Sequence, residues 1–99
     1  MSFRLIFHPD ARTEYSESVH WYKASAGKDI ARSFNQVVRE ATRAISANPF
    51  RFPVLENEVR HLVLARFPYS VLYTIEADNV VIVSVFHQRR DPIEWRRRL

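Results

Sequence analysis

The sequence predicts an α+β two-layer sandwich: an N-terminal strand, a helical hairpin, then a three-stranded antiparallel meander, in the order β-α-α-β-β-β. Three observations lead there. Between residues 10 and 47, apolar residues twice fall into a repeat of three or four. Beyond residue 58 the repeat shortens to two and β-branched and aromatic residues dominate. The chain has 99 residues, of which 46% are hydrophobic, enough for one core and a single domain over 1–99.

Phe3–Phe7 is a short apolar run that reads as a strand closed by Pro9. Asp10 then stands where an N-cap carboxylate would accept from free backbone N–H groups. Ala11, Tyr15, Val19 and Tyr22 follow at steps of four, four and three, one face of a helix over roughly residues 10–26. Gly27, the only glycine, sits where a positive φ ends that helix. A second helix follows directly: Asp29 suits the positive end of its dipole, Ile30, Phe34, Val37, Ala41 and Ile45 form its apolar stripe, and Asn48-Pro49 stops it. Phe50–Glu58 is a proline-containing connector with Phe50, Phe52, Val54 and Leu55 as anchors.

Three strands come next. Val59–Leu64 interleaves Arg60 and His61 with apolar residues. Tyr69–Ile75 alternates, placing Tyr69, Val71, Tyr73 and Ile75 on one face and Ser70, Leu72 and Thr74 on the other. Val80–Phe86 is apolar almost throughout, as in a strand covered on both sides. Asp78-Asn79 marks a tight turn between the last two. The helical hairpin should cover one sheet face, leaving polar side chains to emerge on the other, which is where function is expected. The tail from Gln88 to Leu99 has Pro92, Ile93 and Trp95 as anchors, and its Arg96–Arg98 run reads as a solvated tail or a phosphate-tracking segment.

Composition excludes several classes. With no cysteine there is no disulfide, thiolate metal site or thiol nucleophile. The longest apolar stretch, Val80–Phe86, is far too short to span a bilayer, and no secretion signal is legible, so a cytoplasmic protein with no membrane partner is expected. His8, His20 and His61 have no metal-ligand spacing, and glycine-rich phosphate loops and nucleophile elbows are missing. No metal or cofactor is expected. The net charge is +4, carried by thirteen arginines against two lysines. Residues 59–99 hold seven basic and four acidic groups, whereas residues 1–58 hold eight and seven. Arginine's planar fork suits phosphate and carboxylate, so a nucleic acid or an acidic peptide is the indicated partner.

The candidate site is the end of the last strand, where His87, Gln88, Arg89 and Arg90 follow one another. An imidazole beside guanidiniums could move a proton while charge is stabilised on a phosphate, with Arg60 joining from a neighbouring strand. The same groups could clamp phosphate or an acidic segment without chemistry. Trp21-Tyr22 and Phe67-Pro68-Tyr69 read as core aromatics pinning the hairpin to the sheet.

Taken in order, Trp21-Tyr22, Phe34, Ile45 before Asn48-Pro49, Val59-Arg60, Arg66-Phe67-Pro68-Tyr69 through Tyr73, and His87-x-Arg89-Arg90-Asp91-Pro92 with Trp95 resemble the RelE/ParE toxin superfamily over nearly the whole chain. The resemblance implies a growth-inhibiting toxin of a type II toxin–antitoxin pair, of the kind that stabilises plasmids. A cognate antitoxin would neutralise it through an acidic C-terminal segment and would itself make most contacts to operator DNA. RelE-like members cut mRNA on the ribosome, and for that activity Arg60, His87, Arg89 and Arg90 are the catalytic candidates. ParE-like members poison DNA gyrase and need no catalytic residue. This chain has no tyrosine after His87, and the expected lysine pair before the second strand is replaced by Arg51 with neutral and acidic neighbours. Those departures favour the ParE-like branch, with Arg60, Arg66, His87, Arg89, Arg90 and Trp95 as contacts to target or antitoxin. A non-toxic nucleic-acid or peptide-binding module on the same fold is the remaining reading.

Overall fold

The computed structural model describes residues 2–99. Its elements are β1 (Arg4–Phe7), α1 (Pro9–Ala26), α2 (Lys28–Ala47), β2 (Val54–Glu56), β3 (Val59–Val63), β4 (Tyr69–Glu76), β5 (Asn79–His87) and α3 (Ile93–Arg96). One sheet has the strand order β1-β5-β4-β3-β2, antiparallel except for β1, which lies parallel to β5. The predicted α+β architecture is present, with the meander lengthened by a short edge strand. That strand, β2, falls in what reads as a connector. Pro53 precedes it, and its three residues carry no alternation to reveal it.

The two helices join at Gly27, whose φ of 94° is costly for any other residue. The start of α1 differs from expectation. Its N-cap is His8, whose Nδ1 accepts from the Asp10 N–H at 3.1 Å, and Pro9 takes the first helical position. Proline's fixed φ and missing N–H suit that position, so the cap moves two residues upstream of Asp10.

The core lies between the hairpin and the sheet. Phe34, Val38, Ala41 and Ile45 of α2 meet Ala11 of α1 and Val71, Tyr73, Val80, Ile82 and Val85 of the sheet. The stripe on α2 is rotated from the predicted one: Val38 is fully buried and Ile30 is 43% exposed. Tyr22, Phe34, Phe67 and Tyr69 form the expected aromatic cluster, with ring centroids 4.8–6.2 Å apart, while Trp21 meets only Tyr22, edge-on at 5.1 Å, and stands 60% exposed at its margin. Phe34 alone, fully buried, contributes about 1.5–3 kcal/mol of apolar burial.

Two details of the last hairpin depart from the pattern. The turn is Ala77-Asp78, with Ala77 at φ 56° and Asn79 already paired with Glu76. A bulge opposite Leu72 and Tyr73 leaves Val83 between the paired residues Ile82 and Ser84. Val80, Ile82 and Val85 therefore face the helices, and Val83 faces away, so Val81, Val83, Val85 and His87 do not share one face. One inserted residue inverts the phase beyond it.

The second sheet face is not the polar surface expected of it. Val59, Leu72, Val83 and Phe86 form an apolar cluster there, closed by Trp95 from α3, which is 2% exposed. The tail is accordingly a strap. Arg96 adds a bidentate ion pair to Glu56, at 2.7 and 2.9 Å, tying α3 to β2.

Opposite, Tyr73 secures the connector. Its hydroxyl donates to the Pro49 carbonyl at 2.6 Å inside the protein. Tyr73→Phe is expected to lower stability by about 1–3 kcal/mol, because that carbonyl loses its donor away from water; chemical denaturation measures it. Burial raises the Tyr73 pKa, with Arg60 partly opposing, and burial likewise raises Tyr15 and Tyr22. Folding thus prefers the neutral phenols. Their contribution is complete below the unfolded value of about 10 and is lost as pH climbs through the higher folded values, so the wild type should weaken above about pH 10 and Tyr73→Phe should weaken less steeply there.

Candidate functional site

The site arises from a mismatch in strand length. β1 ends at Phe7, opposite Ile82, whereas β5 continues to His87. Residues 83–87 therefore run on with no strand at that side, and unpaired backbone groups there would be costly to bury. Side chains take the missing strand's place. The Val85 N–H donates to Glu14 Oε1 at 2.9 Å, and Arg98 donates to the Val83 carbonyl at 3.0 Å.

Glu14 is the centre of this arrangement. Besides Val85, it accepts from the Ser84 hydroxyl at 2.6 Å, from Arg90 at 2.7 Å and from Arg98 at 3.1 and 3.3 Å. Its side chain is 5% exposed and that of Arg98 8%. A carboxylate this deep is tolerated only when paired and hydrogen-bonded, and here both oxygens are engaged. One acid from α1 thus fixes the end of β5, the loop at Arg90 and the C-terminal strap.

In front of this anchor lies a cleft of about 810 Å³ between α1 and the β5 end, lined by His8, Glu17, Trp21, Tyr69, His87 and Arg97 among others. The ring of His87 stands edge-on to Tyr69 at 5.0 Å, and its Nδ1 accepts from the Arg89 N–H at 3.1 Å. In the neutral imidazole this holds the proton on Nε2. The cleft offers an exposed indole, an imidazole and guanidiniums, of which Arg90 and Arg98 are paired with Glu14 and Arg90 also with Glu94. Such a surface fits a mixed, partly apolar protein segment better than a bare phosphate. It lies along the helix-covered side, not on the opposite sheet face where function was sought.

The candidates named from sequence are dispersed by the fold. His87, Arg89 and Arg90 stay together. Arg89 is exposed, and Arg90 is shared between Glu14 and Glu94. Arg60 is elsewhere: on β3 it pairs with Tyr73 of β4, while His87 of β5 pairs with Tyr69, four residues and about 13 Å along β4. Arg60 donates to the carbonyls of Phe50 and Phe52 at 3.3 and 2.7 Å and covers the Phe50 ring, securing the connector. Arg66 is exposed beside α2, donating to the Ser33 hydroxyl at 3.0 Å. Trp95 lies beneath the strap with no surface to offer a partner. Arg51, where a nuclease lysine was sought, stacks on Phe52.

Sequence reasoning passed over Glu14, Arg98 and the exposure of Trp21. A signal for Glu14 was present: it sits three residues after Ala11 and beside Tyr15, on the inward face that Ala11, Tyr15, Val19 and Tyr22 otherwise fill. Arg98 had none, since its partner lies 84 residues away. Among the described residues no group of three or more His, Asp or Glu side chains is placed to hold a metal, and no helix is long and apolar enough to cross a membrane.

A search of curated protein sequences gives no significant match. Among solved structures, a chain from a work titled "Chromosomal ParDE TA system from P. aeruginosa" matches with a TM-score of 0.77 at 18% identity, over 87% of this chain and 96% of that one. At that identity the match speaks for the fold. Residues 5–92 match the family described as the ParE toxin of type II toxin-antitoxin system, parDE. With that match covering most of its length, the same order of elements and the resemblance carried by its motifs, this chain belongs to the ParE toxin family.

Proposed function

We propose that this protein inhibits DNA gyrase by binding it, without cutting nucleic acid, and that a cognate antitoxin neutralises it in the cytoplasm through an acidic C-terminal segment. One observation carries the reading over the nuclease alternative: the groups a metal-free ribonuclease would bring together are apart or occupied. Arg60 is held by two backbone carbonyls, about 13 Å along the sheet from the level of His87. Arg90 and Arg98 are drawn onto Glu14. What remains at the surface is recognition chemistry: Trp21 at the cleft rim and the exposed Arg89 and Arg97. An aromatic with flanking arginines is the residue set on which binding energy tends to concentrate. Arg66, Arg89 and Arg97 would draw in the acidic antitoxin, which would carry most of the operator DNA contacts.

The test pairs an assay on the purified chain with one in cells. Supercoiling by purified gyrase should stop as toxin is added and recover with antitoxin, and Trp21→Ala should weaken inhibition by at least tenfold. Induction in cells should raise the DNA-damage response. Codon-positioned mRNA cuts abolished by His87→Ala, with gyrase unaffected, would establish the ribosome-dependent nuclease instead.

A further inference from the structure

We infer that the outer face of α2 is a binding surface for the phosphate backbone of duplex DNA, so that the toxin itself adds nucleic-acid contacts beyond any made by its antitoxin. The proposal stands apart from gyrase inhibition and rests on how the fold disposes of its arginines.

Arg60, Arg90, Arg96 and Arg98 are bound to internal carbonyls or carboxylates. The surplus positive charge is therefore left to the remaining arginines, and α2 gathers several on one rigid element. Its inner side is filled by Ala31, Phe34, Val38, Ala41, Thr42 and Ile45. Its outer side presents Arg32, Gln36, Arg39 and Arg43, all exposed, at steps of four, three and four, which is one continuous helical stripe. From Arg32 to Arg43 the stripe is about 16 Å long, enough for its arginines to meet successive phosphates of one strand. Together with Asn35 and Glu40 these residues line a shallow concavity of about 270 Å³.

The acids nearby leave the charge largely uncompensated. Among the described residues, Arg39 and Arg43 have no carboxylate within ion-pair distance. Arg32 meets Asp29 at 3.5 Å, but both side chains are more than two-thirds exposed, so that pair is weak and readily exchanged for another anion. Glu40 accepts from Gln36 at 3.1 Å.

Composition then decides between a protein and a nucleic acid. Protein interfaces centre on aromatic and apolar residues, and interfaces with DNA are polar and strongly positive. The concavity has no aromatic or apolar member; every residue lining it but Glu40 carries hydrogen-bond donors. The exposed Trp21 marks a different surface, on α1.

Fluorescence polarisation of a labelled 20-base-pair duplex of arbitrary sequence, with the full-length chain between 50 and 200 mM salt, tests this. The wild type should bind independently of sequence. The triple variant Arg32→Gln/Arg39→Gln/Arg43→Gln, all exposed sites checked for folding by circular dichroism, should bind at least tenfold more weakly. Its plot of log affinity against log salt should be shallower by about 2.7, one counterion release of about 0.9 for each lost contact. Arg89→Gln/Arg97→Gln, with Arg97 lining the cleft and Arg89 on the loop after His87, should keep the wild-type slope. No binding at 50 mM salt, an unchanged slope in the triple variant, or transfer of the loss to the cleft variant would each overturn the proposal. So would a triple variant that binds DNA normally but loses affinity for an acidic antitoxin peptide. Gyrase inhibition is measured without reference to this face, so failure here leaves that reading intact.

Discussion

Glu14→Ala is expected to lower the folding stability by about 3–5 kcal/mol, the cost of removing one partner from a buried ion pair. The loss has three parts. The Arg98 guanidinium, 8% exposed, is left without its counter-charge; the Ser84 hydroxyl and the Val85 N–H lose their acceptor where no strand replaces it. For a domain of this size that corresponds to a fall in melting temperature of roughly 15–30 °C. Glu14→Gln keeps an acceptor for Ser84 and Val85 but not the charge, and should cost less. Arg98→Ala in the Glu14→Ala background should add less than it costs alone, since the stranded charge disappears with it. A melting temperature within a few degrees of wild type for Glu14→Ala would mean that water replaces the carboxylate, and the anchor would have to be abandoned.

Trp95→Ala should be nearly as damaging, by about 3–5 kcal/mol. The indole closes the second apolar cluster, and α3 has only four residues, too few to persist without that contact. Its loss should uncover Leu72, Val83 and Phe86 and free the strap from Glu56 and Glu14 together. Two readouts follow in addition to the melting temperature. A hydrophobic dye should bind the variant more strongly, and trypsin should cut faster at Arg96 and Arg98, which Glu56 and Glu14 otherwise hold. Slow cleavage there with a native-like dye response would show that the ion pairs hold the strap without its apolar anchor. Because the strap carries Arg97 to the cleft and Arg98 beneath it, gyrase inhibition should fall in this variant as well.

The parts of this protein that could be read in advance are those governed by short-range periodicity. The helical hairpin, the strands expected at Val59–Leu64, Tyr69–Ile75 and Val80–Phe86, each found within one or two residues of those bounds, and the aromatic cluster around Phe34 all follow from where apolar residues recur, because a helix or strand must bury one face and repeats at its own period. Gly27 announced its turn because only glycine adopts φ 94° without strain. Order and spacing of the motifs sufficed for the family.

Other features arose only when distant segments met. β2 became a strand because β3 offered it an edge, not because Val54–Glu56 prefers one. The bulge at Val83 reversed the facing of half a strand, which no alternation in β5 could disclose. Trp95, a contact residue by its place in the motif, went inside because the sheet's second face was apolar and needed a cover. Arg60 and His87, both on strands, were separated by a register that pairing alone sets. The site itself exists because β1 is shorter than β5 and leaves backbone groups that some side chain must satisfy. Glu14 and Arg98 meet that need from positions 84 residues apart. A local pattern reports what a segment must hide; it does not report which far-off group will complete a hydrogen bond or balance a charge, and on that second question the chemistry of this protein turns.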